Sequence, residues 1–278
     1  MTQPDDPPGF HRTYGVELLY ESDPRLDTGL LVEKLRKRLG RVETRATPPI
    51  HHVAFPDFRV RYAGSEIPAQ MIFGSSEYSL LPAVLEEALQ QTWGWNGARD
   101  AVEGCSASFF LRDMMASGLP PRERLALFLD TLATVLEMAP CRAIYWDASG
   151  HIVDPQAFLA GRGNREELLL GALNARLFRI GNGGPGEMLM DTLGLAALGL
   201  PDVQCHFTDL EPEKVAELLL GVGCFLFRNG DVVADGDTVQ GVTPTERWRC
   251  RREIAIAAPE RLVLDIDLGP PHAAGGRR

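Results

Sequence analysis

A chain of 278 residues with 45% hydrophobic and 24% charged side chains has the make-up of a folded globular protein, not of a disordered tail or a fibre. Its 38 acidic against 28 basic side chains leave a net charge of -10, which argues against broad attraction to nucleic acid or anionic lipid. No apolar run reaches the roughly 18 residues of a membrane span. Residues 1–10 have neither the cationic nor the apolar segment of a signal peptide, so a cytoplasmic protein is expected.

In chain order, residues 1–13 read as a disordered tail rich in Pro and Asp, and residues 14–20 as a strand. Leu30, Leu31, Leu35 and Leu39 then recur at helical spacing, with Gly40 closing the helix. Short extended segments follow at 51–55, 58–62 and 67–73, the last after a turn at Ala63 and Gly64. Ser79 is placed to cap a helix over 80–92, and 107–111 reads as another strand. That order suggests a ferredoxin-like lobe over 14–115, with helices on one face of an antiparallel sheet. The clearest helix lies between Pro121 and Pro140, where Leu125, Phe128, Leu129, Leu132, Val135 and Leu136 form one apolar stripe.

A second lobe is expected over 116–268. Residues 141–146 and 151–153 flank a turn at 147–150 and read as a hairpin. Thr208 and Glu211 suggest a capping box for a helix through Val215, Leu218, Leu219 and Val222 that ends at Gly221 and Gly223. Strands 224–227, 232–233 and 238–240 then read as a meander turning at Asn229–Gly230 and Asp235–Gly236. Two more strands are expected, 248–256 and 262–268, with Asp265 and Asp267 on a solvent face. Residues 269–278 read as a disordered tail. The fold class is therefore α+β in two lobes, the second a mixed or antiparallel sheet with flanking helices.

Motifs for known chemistry are weak. Gly181, Gly183 and Gly186 fit the G-x-G-x-x-G spacing of a dinucleotide loop, but Arg176 and Arg179 precede it where a buried parallel strand is apolar, and Pro185 removes an amide. A loop between strands is the better reading. Asp231, Asp235 and Asp237 lack the further ligands of a calcium loop and suit hairpin turns. Five cysteines at no metal-ligand spacing read as packed, reduced thiols. No cofactor and no metal are expected. Arg247, Arg249 and Arg251 alternate around Trp248 in the manner of a single-strand-binding face, yet the net charge of -10 argues against nucleic acid as a partner. Trp93, Trp95 and Trp146 lie outside amphipathic patterns and are the expected protein-binding anchors.

Trp146 and Gly150, the run Asp191, Thr192, Gly194 and Leu195, then Gly199, Pro201 and Asp202, and the turn Asp235 to Thr238 together resemble a bacterial family known as domain of unknown function 4261. The resemblance covers mainly residues 141–268. It implies an accessory protein of a bacterial gene cluster, some of them near secretion or toxin systems. The expected function is non-enzymatic binding of another protein, such as immunity or adaptor duty toward a basic secreted toxin or a secretion component. The competing reading is an enzyme or small-molecule binder with a cleft between lobes, with Asp147, His151, Asp191 and Asp237 as its polar groups.

Overall fold

A computed structural model of the chain describes residues 13–47, 50–75, 82–162, 169–181 and 183–274. Ser79, nearly all of the N-terminal tail and the last four residues lie outside them. The chain forms two compact units that divide between Ala172 and Leu173. The α+β class is what the sequence suggests, but the boundary lies beyond the expected one at 115/116.

The first unit runs β1 (Gly15–Tyr20), α1 (Thr28–Leu39), β2 (Glu43–Thr47), β3 (Ile50–Tyr62), β4 (Ser65–Ser75), α2 (Pro82–Gln90), α3 (Ala98–Glu103), β5 (Ala107–Asp113), α4 (Pro121–Met138), β6 (Ala143–Trp146), β7 (His151–Val153) and α5 (Pro155–Gly161). Its seven-stranded sheet has the order β2-β3-β4-β5-β1-β6-β7, and every neighbouring pair is antiparallel. The split βαβ element of a ferredoxin-like lobe is present as β5-α4-β6 around β1, inside a larger sheet. The pairing of β6 with β1 (Leu18 opposite Ile144) moves the boundary, because it ties the 141–153 hairpin to the first strand of the chain.

β1 is buried along its whole length since helices cover both faces, not the single face expected. On one side Tyr14 packs edge-on to Phe128 of α4 and to Trp146, with ring centroids 4.9 and 6.3 Å apart. On the other, Leu19, Ala143 and Ile152 meet Ala88 of α2 and Ala98 and Val102 of α3. α1 is tied to α4 by Arg38, which donates to Thr134 Oγ1 (2.7 Å) and Glu137 (2.8 Å). Asp113 at the end of β5 accepts from the Tyr14 amide (2.6 Å) and takes both Arg124 Nε and Nη2 (2.6 and 3.0 Å), so the start of α4 is locked by a fully buried ion pair.

The second unit runs β8 (Asn174–Arg179), β9 (Met188–Leu193), β10 (Asp202–Phe207), α6 (Pro212–Asn229), β11 (Thr238–Gln240), β12 (Arg247–Ile254) and β13 (Leu262–Asp267). The sheet order is β11-β12-β13-β10-β9-β8, with β10 and β13 parallel and the other pairs antiparallel. α6 covers one face through Val215, Leu219, Gly223 and Leu226. It continues through Gly221 and Gly223 and absorbs the expected strand 224–227. Gly223 serves close packing, since a Cβ there would stand 2.8 Å from Leu173 Cδ2. The helix stops at Gly230, whose φ of 84° suits glycine. The capping box does not form: Pro212 opens the helix and Glu211 makes no side-chain cap. Residues 269–274, expected to fray, are held against β10 by Thr208 N to His272 O (3.0 Å) and Ala274 N to His206 O (3.3 Å).

Candidate functional site

The face of the second sheet opposite α6 is charged. Strand alternation and register place Arg176, Asp191, Gln204, Asp265 and Arg251 in one row across β8, β9, β10, β13 and β12. At one end of this face, the buried Arg261 gives its five N–H donors to five acceptors: Asp202 Oδ2 (3.1 Å), Asp191 Oδ2 (2.7 Å), and the carbonyls of Thr192 (2.8 Å), Ala257 (3.1 Å) and Pro259 (2.9 Å). Arg176 makes a bidentate pair with Asp191 (2.9 and 2.7 Å). Asp202 also accepts from Thr192 Oγ1 (3.0 Å) and the Leu195 amide (3.1 Å). Burial raises the pKa of Asp202, and Arg261 followed by these hydrogen bonds pulls it back. Two arginines face two aspartates here, so the network balances its own charge and fixes the β9–β10 connection.

At the other end of the face lies a cleft of about 260 Å³ lined by His206, Ile266, Asp267, Arg251 and the folded-back segment with Gly269, Pro270, Ala273 and Ala274. Arg251 Nη2 stands 3.3 Å from Asp267, and its side chain is 44% exposed. His206 Nε2 lies 3.2 Å from Glu187. Arg247 and Arg249 share the exposed face of β12 with Arg251. Trp248 points the other way and is buried, so this face has no tryptophan on which a base could stack.

The residues singled out from sequence fare differently. Trp146 is fully buried and donates its Nε1–H to Tyr14 Oη (2.7 Å), which removes it from any contact surface. Trp95 packs half-buried against the Leu19–Ala143 cluster, while Trp93 is 44% exposed. Asp191 is a member of the buried network, not an open polar group. Asp237 accepts from the Ala234 amide (2.8 Å) in a turn, and Asp231 and Asp235 bind Arg252 and its amide. Asp147 pairs with Arg112, which also reaches Glu17 (2.7 Å). His151 contacts Ser149 Oγ (3.1 Å). These groups are spread over both units and do not converge within either. Gly183 and Gly186 lie in the turn of the antiparallel β8–β9 hairpin, with no helix after it to receive a phosphate. Burial pushes the thiols of Cys105, Cys141 and Cys250 up, the last two to about 12 and about 11, so they stay protonated at neutral pH. Sequence reading missed Arg261, whose only local signal is an arginine opening an apolar strand.

The fold and this face define an α+β protein whose second unit presents a small charged cleft beside the exposed arginines of β12. Residues 191–267, from within β9 to the end of β13, match the family described as "Domain of unknown function (DUF4261)". Within that match Asp191, Thr192, Leu195 and Asp202 meet in the buried network and hold the β9–β10 connection. No curated protein and no solved structure matches the chain. Among the described residues no helix is long and apolar enough to cross a membrane.

Proposed function

We propose that the protein acts by binding a segment of another polypeptide, without covalent chemistry, and that the arginine face of β12 and its cleft make the contact. The observation that carries this reading is size joined to charge. The cleft of about 260 Å³ is smaller than the roughly 300–1,000 Å³ of pockets for drug-sized ligands. It suits one side chain or chain end, and Arg251 at its rim offers a guanidinium to a carboxylate. The net charge of -10 suggests a basic partner for the surface at large, whereas three exposed arginines at this spot select an acidic segment. On this reading the chain is an accessory protein, of the adaptor or immunity kind that the family resemblance implies.

The test is fluorescence anisotropy with a labelled glutamate-rich peptide at low and physiological salt. Binding that weakens with salt and is lost in Arg249→Glu/Arg251→Glu, but kept in Trp93→Ala, supports the reading. Equal affinity of the arginine double variant overturns it.

A further inference from the structure

We propose that the outer face of α6 is a self-docking surface, on which a second copy of this chain lays its own α6 antiparallel about a two-fold axis level with Gly223. Between Glu217 and Arg228 ten successive residues, Leu218 to Phe227, carry no charge. A helix with one face on a sheet and the other in water carries polar residues along the outer stripe instead. α6 needs only Val215, Leu219, Gly223, Leu226 and Phe227 to cover β8, β9 and β10. Steps of three and four residues bring Glu217, Leu218, Gly221, Phe225 and Arg228 together on the opposite side.

The relief of this face is a knob beside a hole. Phe225 is 46% exposed, and one turn earlier the exposed Gly221 has nothing within 4 Å of where a Cβ would stand. An axis level with Gly223 lies midway between the two along the helix, so it carries Phe225 of each copy to Gly221 of the other. The missing side chain lets the backbones approach closely there, and an aromatic ring buried in such a notch is the kind of anchor that dominates contact energy.

Charge selects a second copy as the occupant and fixes its direction. Glu217 and Arg228 are exposed at the two ends of the apolar run, on one edge of the face, and among the described residues neither makes an ion pair. Lys214, one turn before Glu217, is held by Glu211 (2.8 Å). Under the same axis Arg228 comes level with Leu218 of the other copy, about 1.5 Å along the helix from Glu217. A two-fold of this kind keeps each edge of the face on its own side, so Arg228 meets Glu217 twice, once at each end of the contact. A parallel pair would instead set Glu217 level with Glu217 and Arg228 level with Arg228. Opposed helix dipoles favour the antiparallel direction as well. With 18 residues the strip is about 27 Å long and about 10 Å wide, well below the roughly 800 Å² per partner of a standard interface, so the dimer is a reversible one governed by concentration.

Sedimentation equilibrium of the full chain from about 1 to about 200 μM tests this. The apparent mass is expected to rise with concentration from 30.5 kDa toward twice that value. Phe225→Gln and Gly221→Gln, both at exposed helical positions, are expected to keep the helical circular dichroism and to weaken the dimer at least about tenfold. Arg228→Glu alone is expected to weaken it several-fold, and Glu217→Arg/Arg228→Glu to restore it, because the exchange rebuilds each pair with its signs reversed. Arg249→Glu/Arg251→Glu is expected to leave the dimer unchanged, which separates this face from the peptide cleft. A chain that stays monomeric across the range overturns the proposal, as does a dimer that folded Phe225→Gln and Gly221→Gln leave intact. No effect of Arg228→Glu, or no recovery in the exchanged variant, overturns it too. Binding of a monomeric chain to phosphatidylglycerol vesicles that Phe225→Gln abolishes gives the face to a lipid surface and equally overturns it.

Discussion

His151 shows how surroundings assign a residue's role. Its ring is half-buried behind the turn at Gly150, with Nδ1 3.1 Å from a Ser149 hydroxyl that itself donates to the Gly171 carbonyl (2.5 Å). Burial pushes its pKa from 6.5 down to about 4, against a smaller opposing effect of the Ser149 backbone. The folded protein therefore keeps this imidazole neutral at pH 7, and it cannot act there as a cationic acid. The sign of the consequence follows from proton counting. Between about pH 4 and 6.5 the unfolded chain binds a proton at this position that the folded chain refuses, so acidification through that window favours unfolding. His151→Gln should remove that share of the acid sensitivity: urea denaturation at pH 7 and pH 5 should show a smaller stability loss in the variant than in the parent. Equal losses would refute the assignment. The balanced Arg261 network has the opposite character, since deleting one of its charges strands another in the interior.

Among the elements, glycine separates what local sequence discloses from what tertiary contact decides. Gly221 lies inside α6 with nothing within 4 Å of where a Cβ would be. Gly221→Ala should therefore stabilise the protein by about 1 kcal/mol through helix propensity alone. Gly171 has a φ of +83° and its Cβ would fall 2.3 Å from the Trp146 ring, so Gly171→Ala should cost about 2–5 kcal/mol. Thermal or urea melts of the two variants check both signs. In the sequence Gly221 and Gly223 look like helix stops, and only the contact with Leu173 shows why a glycine sits at 223. α4 was legible because its stripe and its two prolines are local, and the β6–β7 hairpin because its turn residues are. The face positions of β1 were not, since Val16, Leu18 and Leu19 carry no period-two pattern when both faces are buried. The candidate sites divide the same way. Asp147 stood out as a carboxylate in a turn, but Glu17 and Arg112, which give it a context, are brought to it by pairings across more than a hundred and about thirty residues respectively.

For the whole molecule, the division at 172/173 implies that each unit carries its own means of folding. The first has β1 at the centre of its sheet, with Val16, Leu18, Phe128 and Trp146 buried around it. The second has Val203, Cys205 and Ile266 beneath Val215 and Leu219 of α6. Both pieces fall within the usual size range of an independent domain. Residues 12–172 and 173–278 expressed separately should each melt cooperatively. Tryptophan emission gives a direct readout, because Trp248 is the one tryptophan of the second piece and is buried against β11 and β13. Blue-shifted emission from that piece that moves to the red in urea is the expected result. Red-shifted emission in buffer would show that the second sheet cannot stand alone. The boundary expected from sequence offers the control: a cut at 115/116 takes α4 and β6 away from β1, removes Phe128 and Trp146 from Tyr14, and should leave residues 12–115 without cooperative unfolding. A cooperative melt of that shorter piece would mean that the strand pairing of β1 with β6 contributes little, and that the sheet order alone is a poor guide to where this chain divides.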